Sequence, residues 1–161
     1  MRVTPRLLRW VMNCWPPFVG AGIRVRYIAP DWRHAHVTMK LAWYNRNYVR
    51  TQFGGSLYAM TDPFYMIMLL HVLGPDYIVW DKSAHIDYIA PARSAVDARF
   101  ELNDETLADI RAHTADGEKY LPEFNIDVRD SSGQTVARIK RVLYVRLKAR
   151  VRPALLEKDH A

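Results

Sequence analysis

The chain has 161 residues, a length that fits one domain, and half of them are hydrophobic, which excludes a fully disordered protein. Its one cysteine, Cys14, excludes an intramolecular disulfide framework and a zinc site built from cysteines. The net charge of +6 comes from one region, because residues 137–152 hold seven basic residues and no acid. Such a region can attract phosphates, nucleic acid or a membrane surface, or it can be a solvated strand face.

The first 21 residues predict an N-terminal helix followed by a proline-rich connection at Pro16 and Pro17. The apolar residues before these prolines recur at helical spacing, which predicts a short amphipathic helix packed on the domain: Leu7, Leu8, Val11, Met12 and Trp15. Arg9 interrupts the apolar stretch, which argues against a signal peptide. Contact with a membrane surface stays open, because Arg2 and Arg6 lie nearby. Residues 22–152 are expected to form a single domain, with a C-terminal tail at 153–161.

After two predicted strands, at 23–28 and 34–41, Gly54 and Gly55 open an unusually apolar run that extends to Leu73. Its length would suit a membrane span, but Asp62 at its centre costs about 2.5–3.5 kcal/mol there, which cancels the gain from the apolar residues. We therefore expect no transmembrane segment. A helix that is apolar on nearly every side is instead expected inside a sheet-wrapped domain.

The second half of the chain has the patterns of strands. Alternation covers 77–80, 83–90, 95–102, 123–129 and 135–148, and the first two could form one long strand broken at Asp81 and Lys82. A short helix is expected at 105–113. In the last strand the odd positions are mostly apolar and the even ones mostly basic, which predicts one buried and one basic face. This order predicts an α+β fold, an antiparallel sheet that covers one long helix.

Asp62 is the first candidate for a catalytic role. An ionised carboxylate is costly to bury unless it is paired, hydrogen-bonded or neutralised, and the residues one helical turn away from Asp62 include no cation. Either a donor from elsewhere in the chain reaches it, or it lines an accessible pocket. A structural acid bonded to backbone amides is the alternative. Pro63 predicts a bend of the helix at this acid.

Gly54 and Gly55 are the second candidate feature. A helix N-terminus presents unpaired amides with a partial positive charge, and glycine lets a ligand approach the backbone closely. Amides placed in this way can hold an oxyanion or a thioester carbonyl. A glycine pair alone is more often only a turn.

Three segments of the chain resemble the hotdog-fold acyl-CoA thioesterases of the phenylacetyl-CoA thioesterase type. In that family an Asn lies six residues before a His-Gly-Gly, and an acid follows seven residues after the second glycine; here Asn47, Phe53, Gly55 and Asp62 have this spacing. The stretches 84–93 and 130–137 are similar to the strand after the central helix and to the late hairpin. The match covers residues 22–147, and residues 80–83 look closest to a poorly characterised bacterial branch.

The resemblance implies a role for each matched residue. Asp62 would be the general base or nucleophile, the Gly55 amide would polarise the thioester carbonyl, and Asn47 would orient the substrate or the water. Phe53 stands where the family has histidine, and its ring can offer neither a hydrogen bond nor a proton. Substrate contacts are expected from seven residues: Phe53, Gly54, Ser56, Tyr65, Lys82, Arg138 and Lys140.

The expected function is hydrolysis of an acyl-CoA or acyl-carrier-protein thioester in the cytoplasm, with coenzyme A as part of the substrate and no cofactor. The six histidines show no tight ligand spacing, so no metal is expected. The family also implies a homodimer or homotetramer paired through strand edges, in which the 77–90 region of the partner subunit forms one wall of the pocket.

Two other functions compete with this expectation. One is a non-catalytic acyl-thioester binder or carrier-protein interaction module on the same fold, which Phe53 favours and Asp62 opposes. The other is nucleic-acid binding through the basic strand, which is the less favoured class.

Overall fold

The computed structural model describes residues 3–151, so the predicted tail at 153–161 lies outside the described residues. Its elements follow in chain order: α1 (Pro5–Cys14), α2 (Pro16–Ala21), β1 (Ile23–Ile28), β2 (His34–Met39), α3 (Gly54–Ala59), α4 (Phe64–Leu73), β3 (Tyr77–Tyr88), β4 (Val96–Glu101), α5 (Asp104–Thr114), β5 (Glu123–Asp130) and β6 (Thr135–Leu147). The predicted α+β class is confirmed.

Six antiparallel strands form one sheet in the order β1-β2-β4-β5-β6-β3, so β1 and β3 are its edges. On β6 the inward positions hold apolar side chains such as Ile139, Leu143 and Val145, each fully buried. They join one core cluster with Met68 and Leu69 of α4. The alternation of period two thus turns one face of the sheet toward the central helix, as predicted.

The central helix is interrupted where the sequence predicted only a bend. α3 ends at Ala59 and α4 begins at Phe64, with Asp62 and Pro63 between them. Proline has no N–H to donate, so the helical ladder cannot continue through this position. The 20 residues of Gly54–Leu73 are long and apolar enough for a candidate membrane span. Here they form two short helices instead, and α4 belongs to the core.

Strand β3 contains a β-bulge where the sequence suggested a break. Asp81 pairs with Leu143, but Ser83 pairs with Val142, so Lys82 is the extra residue. The inserted residue changes which positions face inward: Val79 and Asp81 lie on the helix side before it, and even-numbered residues lie there after it. Asp81 is therefore the last inward residue before the bulge.

The predicted N-terminal helix is present as α1, with Leu8 and Met12 packed against the core, but two of its expected packing residues are exposed. In α1 only Met12 is buried, whereas Val11 and Trp15, expected to pack on the domain, are 47% and 46% exposed. The proline-rich connection is itself a helix, α2, with its prolines in the first turn, where a missing N–H costs nothing.

Helix α1 is fixed to edge strand β1 by the side chain of Asn13. Its Nδ2 donates to the carbonyl of Val25 at 3.0 Å, and its Oδ1 accepts from the Val25 amide at 2.8 Å. The side-chain amide thus takes the place of a neighbouring strand at this point of the edge.

Candidate functional site

A cavity of about 530 Å³ opens at the start of α3. The loop before α3, the first turn of α3 and the chain that follows β3 form its walls, and the lining includes Asn47, Phe53, Gly54, Gly55 and Tyr88. The structure therefore brings four of the predicted site residues together around one opening. Asp62 is not among the residues that line it.

The first two amides of α3 are unpaired at this cavity. Ser56 and Leu57 donate their amides to the carbonyl of Phe53, at 2.9 and 3.1 Å. Within residues 3–151, the Gly54 and Gly55 amides donate no hydrogen bond. A helix N-terminus with two free donors is suited to an oxyanion or a polarised carbonyl.

Both glycines lie in close contact with aromatic rings. A Cβ added to Gly54 would lie 2.9 Å from the Tyr88 hydroxyl, and one added to Gly55 would lie 2.5 Å from Cε1 of Phe53. The Phe53 side chain is half exposed. It therefore lies beside the Gly55 backbone at the position where the resembling family has histidine.

Asn47 closes the loop that leads into α3. Its Nδ2 donates to the Thr51 hydroxyl at 2.8 Å, and its Oδ1 accepts from the Thr51 amide at 3.0 Å. Next to this loop, buried Gln52 donates its backbone N–H to the Ala92 carbonyl at 2.9 Å. Its side-chain Nε2 donates to the Ser94 carbonyl at 3.1 Å. These bonds hold the loop against the segment that forms the opposite wall of the cavity.

Asp62 meets a cation from the last strand of the sheet. Arg141 of β6 lies with Nη2 3.4 Å from Oδ2 of Asp62, and its Nη1 donates to Oδ1 of Asp81 at 3.1 Å. The Arg141 side chain is only 2% exposed, whereas those of Asp81 and Asp62 are 24% and 44% exposed. Of the alternatives left open by the sequence, a donor from elsewhere in the chain is the one observed.

Burial sets the ionisation of Asp81. Loss of solvent raises the pKa of its carboxyl, Arg141 opposes this effect, and the negative charge of Asp62 adds to it. Two acids thus share one guanidinium, which compensates the charge of only one of them.

The remaining predicted substrate contacts lie apart from the cavity. Ser56 is buried, and Tyr65 lies in the core, where its ring stacks on Phe124 at 4.1 Å. Burial raises the pKa of the Tyr65 hydroxyl. Lys82 is exposed at the bulge of β3. Their contacts with substrate stay predictions.

The basic face of β6 is largely paired with acids. Arg138 donates to Asp127 at 2.7 Å, and Lys140 lies 2.6 Å from Glu123. The Arg138 guanidinium holds the pKa of the Asp127 carboxyl below its usual value. Binding of a substrate phosphate to Arg138 or Lys140 would have to displace these partners and stays a prediction.

Sequence reasoning missed Arg141 and Asp81, although both break the alternation of their strands. Arg141 occupies an inward position between Ile139 and Leu143, and Asp81 follows Val79 on the same face. A charged residue at an inward position was the available signal for each. Within residues 3–151 no group of three or more His, Cys, Asp or Glu residues could hold a metal ion.

Comparisons with known proteins place this geometry in a fold family. A family model described as "Domain of unknown function (DUF4442)" matches residues 4–145. A search of the curated proteins found no match.

Solved structures with a similar fold carry thioesterase names. PA5026 from Pseudomonas aeruginosa, called a protein of unknown function and "Probable Thioesterase", has a TM-score of 0.77 at 16% identity, over 92% of this chain and 99% of that one. Thioesterase HI1161 from Haemophilus influenzae has a TM-score of 0.65 at 16% identity, over 99% and 97% of the two chains. A mutant of the phenylacetic acid degradation protein PaaI from Thermus thermophilus has a TM-score of 0.57 at 23% identity, over 83% and 100%. These similarities confirm the predicted hotdog fold.

Proposed function

The chain belongs to the family described as a domain of unknown function, DUF4442, and we propose that it is a thioesterase that hydrolyses an acyl-CoA or acyl-carrier-protein thioester. One observation carries the proposal: the unpaired Gly54 and Gly55 amides lie at a cavity, and an acid, Asp62, follows three residues after the end of the same helix. The thioesterase names of the structures with a similar fold give further support.

The proposed chemistry uses the Gly55 amide in the first turn of α3 and the Asp62 carboxylate that follows the helix. The Gly55 amide donates to the thioester carbonyl and stabilises the oxyanion of the tetrahedral intermediate. Asp62 accepts a proton from water as the water oxygen attacks the carbonyl carbon. The C–S bond then breaks, and the departing sulfur takes that proton. Attack by the Asp62 carboxylate itself is the other route. Asn47 supports either route through the loop that it closes.

The spacing of these groups favours a site shared between two copies of the chain. Asp62 follows Gly55 by seven residues, which at the rise of an α-helix corresponds to about 10 Å. A reacting pair needs to approach to about 3–3.5 Å. Asp62 of one copy and Gly55 of another would satisfy this condition in a homodimer paired through β3, the sheet edge that ends at the cavity.

The test is release of free thiol from a panel of acyl-CoA substrates and an acyl-carrier protein. Asp62→Asn is expected to reduce kcat by about 10²–10⁴-fold, because it removes the proton acceptor. The control is Asp104→Asn at the start of α5, where the side chain is 88% exposed; its rate should equal that of the wild type. Turnover that survives in Asp62→Asn would contradict the proposal.

The second candidate is a protein that binds acyl thioesters without cleaving them. Phe53 favours it, since an apolar ring lies against Gly55 at the position where the resembling thioesterases have histidine. Saturable binding of acyl-CoA by calorimetry, with no thiol release by the wild type from any substrate, would establish this function in place of hydrolysis.

A further inference from the structure

A buried guanidinium connects α3 and the interruption of the central helix to the edge strand β3. Arg141 is buried inside the domain, and its guanidinium carbon lies 5.0 Å from the centroid of the Tyr58 ring. Its Nη1 is bonded to Asp81 on β3, and its Nη2 lies near both Asp62 and the Thr61 hydroxyl, the latter at 3.5 Å. The Arg141 side chain of β6 thus contacts α3, the interruption that follows it and strand β3.

The cost of burial explains why Arg141 cannot move freely. An unpaired charge in a protein interior is strongly destabilising, so Arg141 requires its two carboxylates. Asp81 is the more buried of the two and has the shorter contact, 3.1 Å against 3.4 Å. Asp81 therefore anchors the guanidinium, and Asp62 occupies the end of the cluster that solvent reaches.

The Asp62 side chain lies outside the regular turns of the two helices. Asp62 lies in the interruption between α3 and α4, where Pro63 ends the helical ladder. Within the described chain, Arg141 is the partner recorded for the Asp62 carboxylate, and it contacts Oδ2. That contact holds one oxygen and leaves Oδ1 to face a water or a substrate.

We propose that Arg141 is a positioning residue that orients the Asp62 carboxylate for thioester hydrolysis and is itself held by Asp81. This inference rests on the proposed function and adds two residues to it. The arrangement requires a planar group with several donors, because it must bond two acids from different elements at once. Arginine has this geometry and lysine does not.

The experiment compares kcat and KM for Arg141→Gln, Arg141→Lys and Asp81→Asn. Arg141→Gln should lower kcat about 100-fold with little change in KM, as expected for a misplaced catalytic group. Asp81→Asn should also lower kcat with little change in KM, because Asp81 anchors the guanidinium that contacts Asp62.

Arg141→Lys separates charge from geometry. It keeps the positive charge but loses the planar group with several donors, so kcat should fall with little change in KM. The matched control is Arg146→Gln on the same strand, which loses an ion pair to Glu118 and a hydrogen bond to the Gly117 carbonyl but lies outside the cluster. Its kinetics should equal those of the wild type.

The outcomes distinguish this inference from the function on which it rests. No thiol release by the wild type overturns the proposed function and the positioning role together. Normal wild-type turnover with unchanged kcat in the variants overturns the positioning role alone. If Arg141→Gln does not fold, Arg141→Lys and Asp81→Asn decide, since a lower kcat with little change in KM is required of both.

Discussion

At the scale of single residues, substitution of Gly55 should lower activity much more than stability. Gly55→Ala places a methyl group 2.5 Å from the end of the half-exposed Phe53 ring, which can rotate away. Since alanine is the better helix former, the free energy of unfolding should change by less than about 1 kcal/mol. The displaced ring and the methyl group crowd the Gly55 amide, so thiol release should fall by about 10²-fold.

The measurement is a thermal melt together with the thiol-release assay. Gly20→Ala is the control, because Gly20 is a helical glycine in α2 with open space around its added Cβ. It should gain slightly in stability and keep its activity. Equal activities of Gly55→Ala and wild type would exclude Gly55 from the site.

Residue identity also marks what the sequence could predict of the site. Asn47, Gly55 and Asp62 were predicted from a resemblance in spacing, which can be read along the chain itself. Arg141 is 79 residues beyond Asp62; the pairing of β6 with β3 brings Asp81 to Arg141, and Asp62 reaches it from the interruption of the central helix. A contact of this kind depends on strand register, which local pattern does not determine.

At the scale of elements, the side chain of Asn13 contributes two hydrogen bonds to the contact between α1 and β1. Asn13→Ala removes two hydrogen bonds to the Val25 backbone, and it leaves these groups without a strand neighbour. The free energy of unfolding should fall by about 1–3 kcal/mol. Urea denaturation measures this, with Cys14→Ala at the exposed neighbouring position as the control. Equal losses in both variants would mean that the Asn13 bonds contribute nothing.

In the β5–β6 hairpin, the contribution of Asp127 to the free energy of unfolding should depend on pH. Because Arg138 lowers the pKa of Asp127 in the folded protein, this acid stabilises the fold above the pKa of an unfolded aspartate. The stability is lost as the pH falls through the lowered value. Asp127→Asn should therefore cost about 0.2–1 kcal/mol at neutral pH, and the difference from wild type should vanish in strong acid. Urea denaturation at both pH values is the check, and a difference that persisted in acid would contradict it.

The elements show where sequence patterns are sufficient and where they are not. Strand positions followed from alternation because one face of each strand is buried. The break of the central helix into α3 and α4 was predicted only as a bend, since Pro63 disrupts a helix without stating how far the disruption extends. Val11 and Trp15 have helical spacing but stay 47% and 46% exposed, because periodicity cannot tell which apolar residues the domain covers.

At the scale of the whole molecule, a shared site makes a prediction about mixtures. Gly55→Ala and Asp62→Asn are each expected to be inactive alone, but a mixed dimer contains one site with both groups intact. After joint refolding of equal amounts, thiol release should recover to about one quarter of the wild-type rate, since half of the dimers are mixed and each has one working site of two. Light scattering on the wild type and on the mixture measures whether the protein is the dimer that this prediction requires. A mixture no more active than its components would place both groups in one chain.

The Asn13 side chain has a consequence for how copies can add to one another. It occupies part of the β1 edge, whereas no described residue outside the sheet pairs along the long β3 edge. A sheet with two bare edges can extend without limit, as fibrils do. With one edge obstructed by the chain's own N-terminal segment, two copies joined at β3, as proposed, would leave no further free edge, so such a pair of sheets would not extend into a fibre.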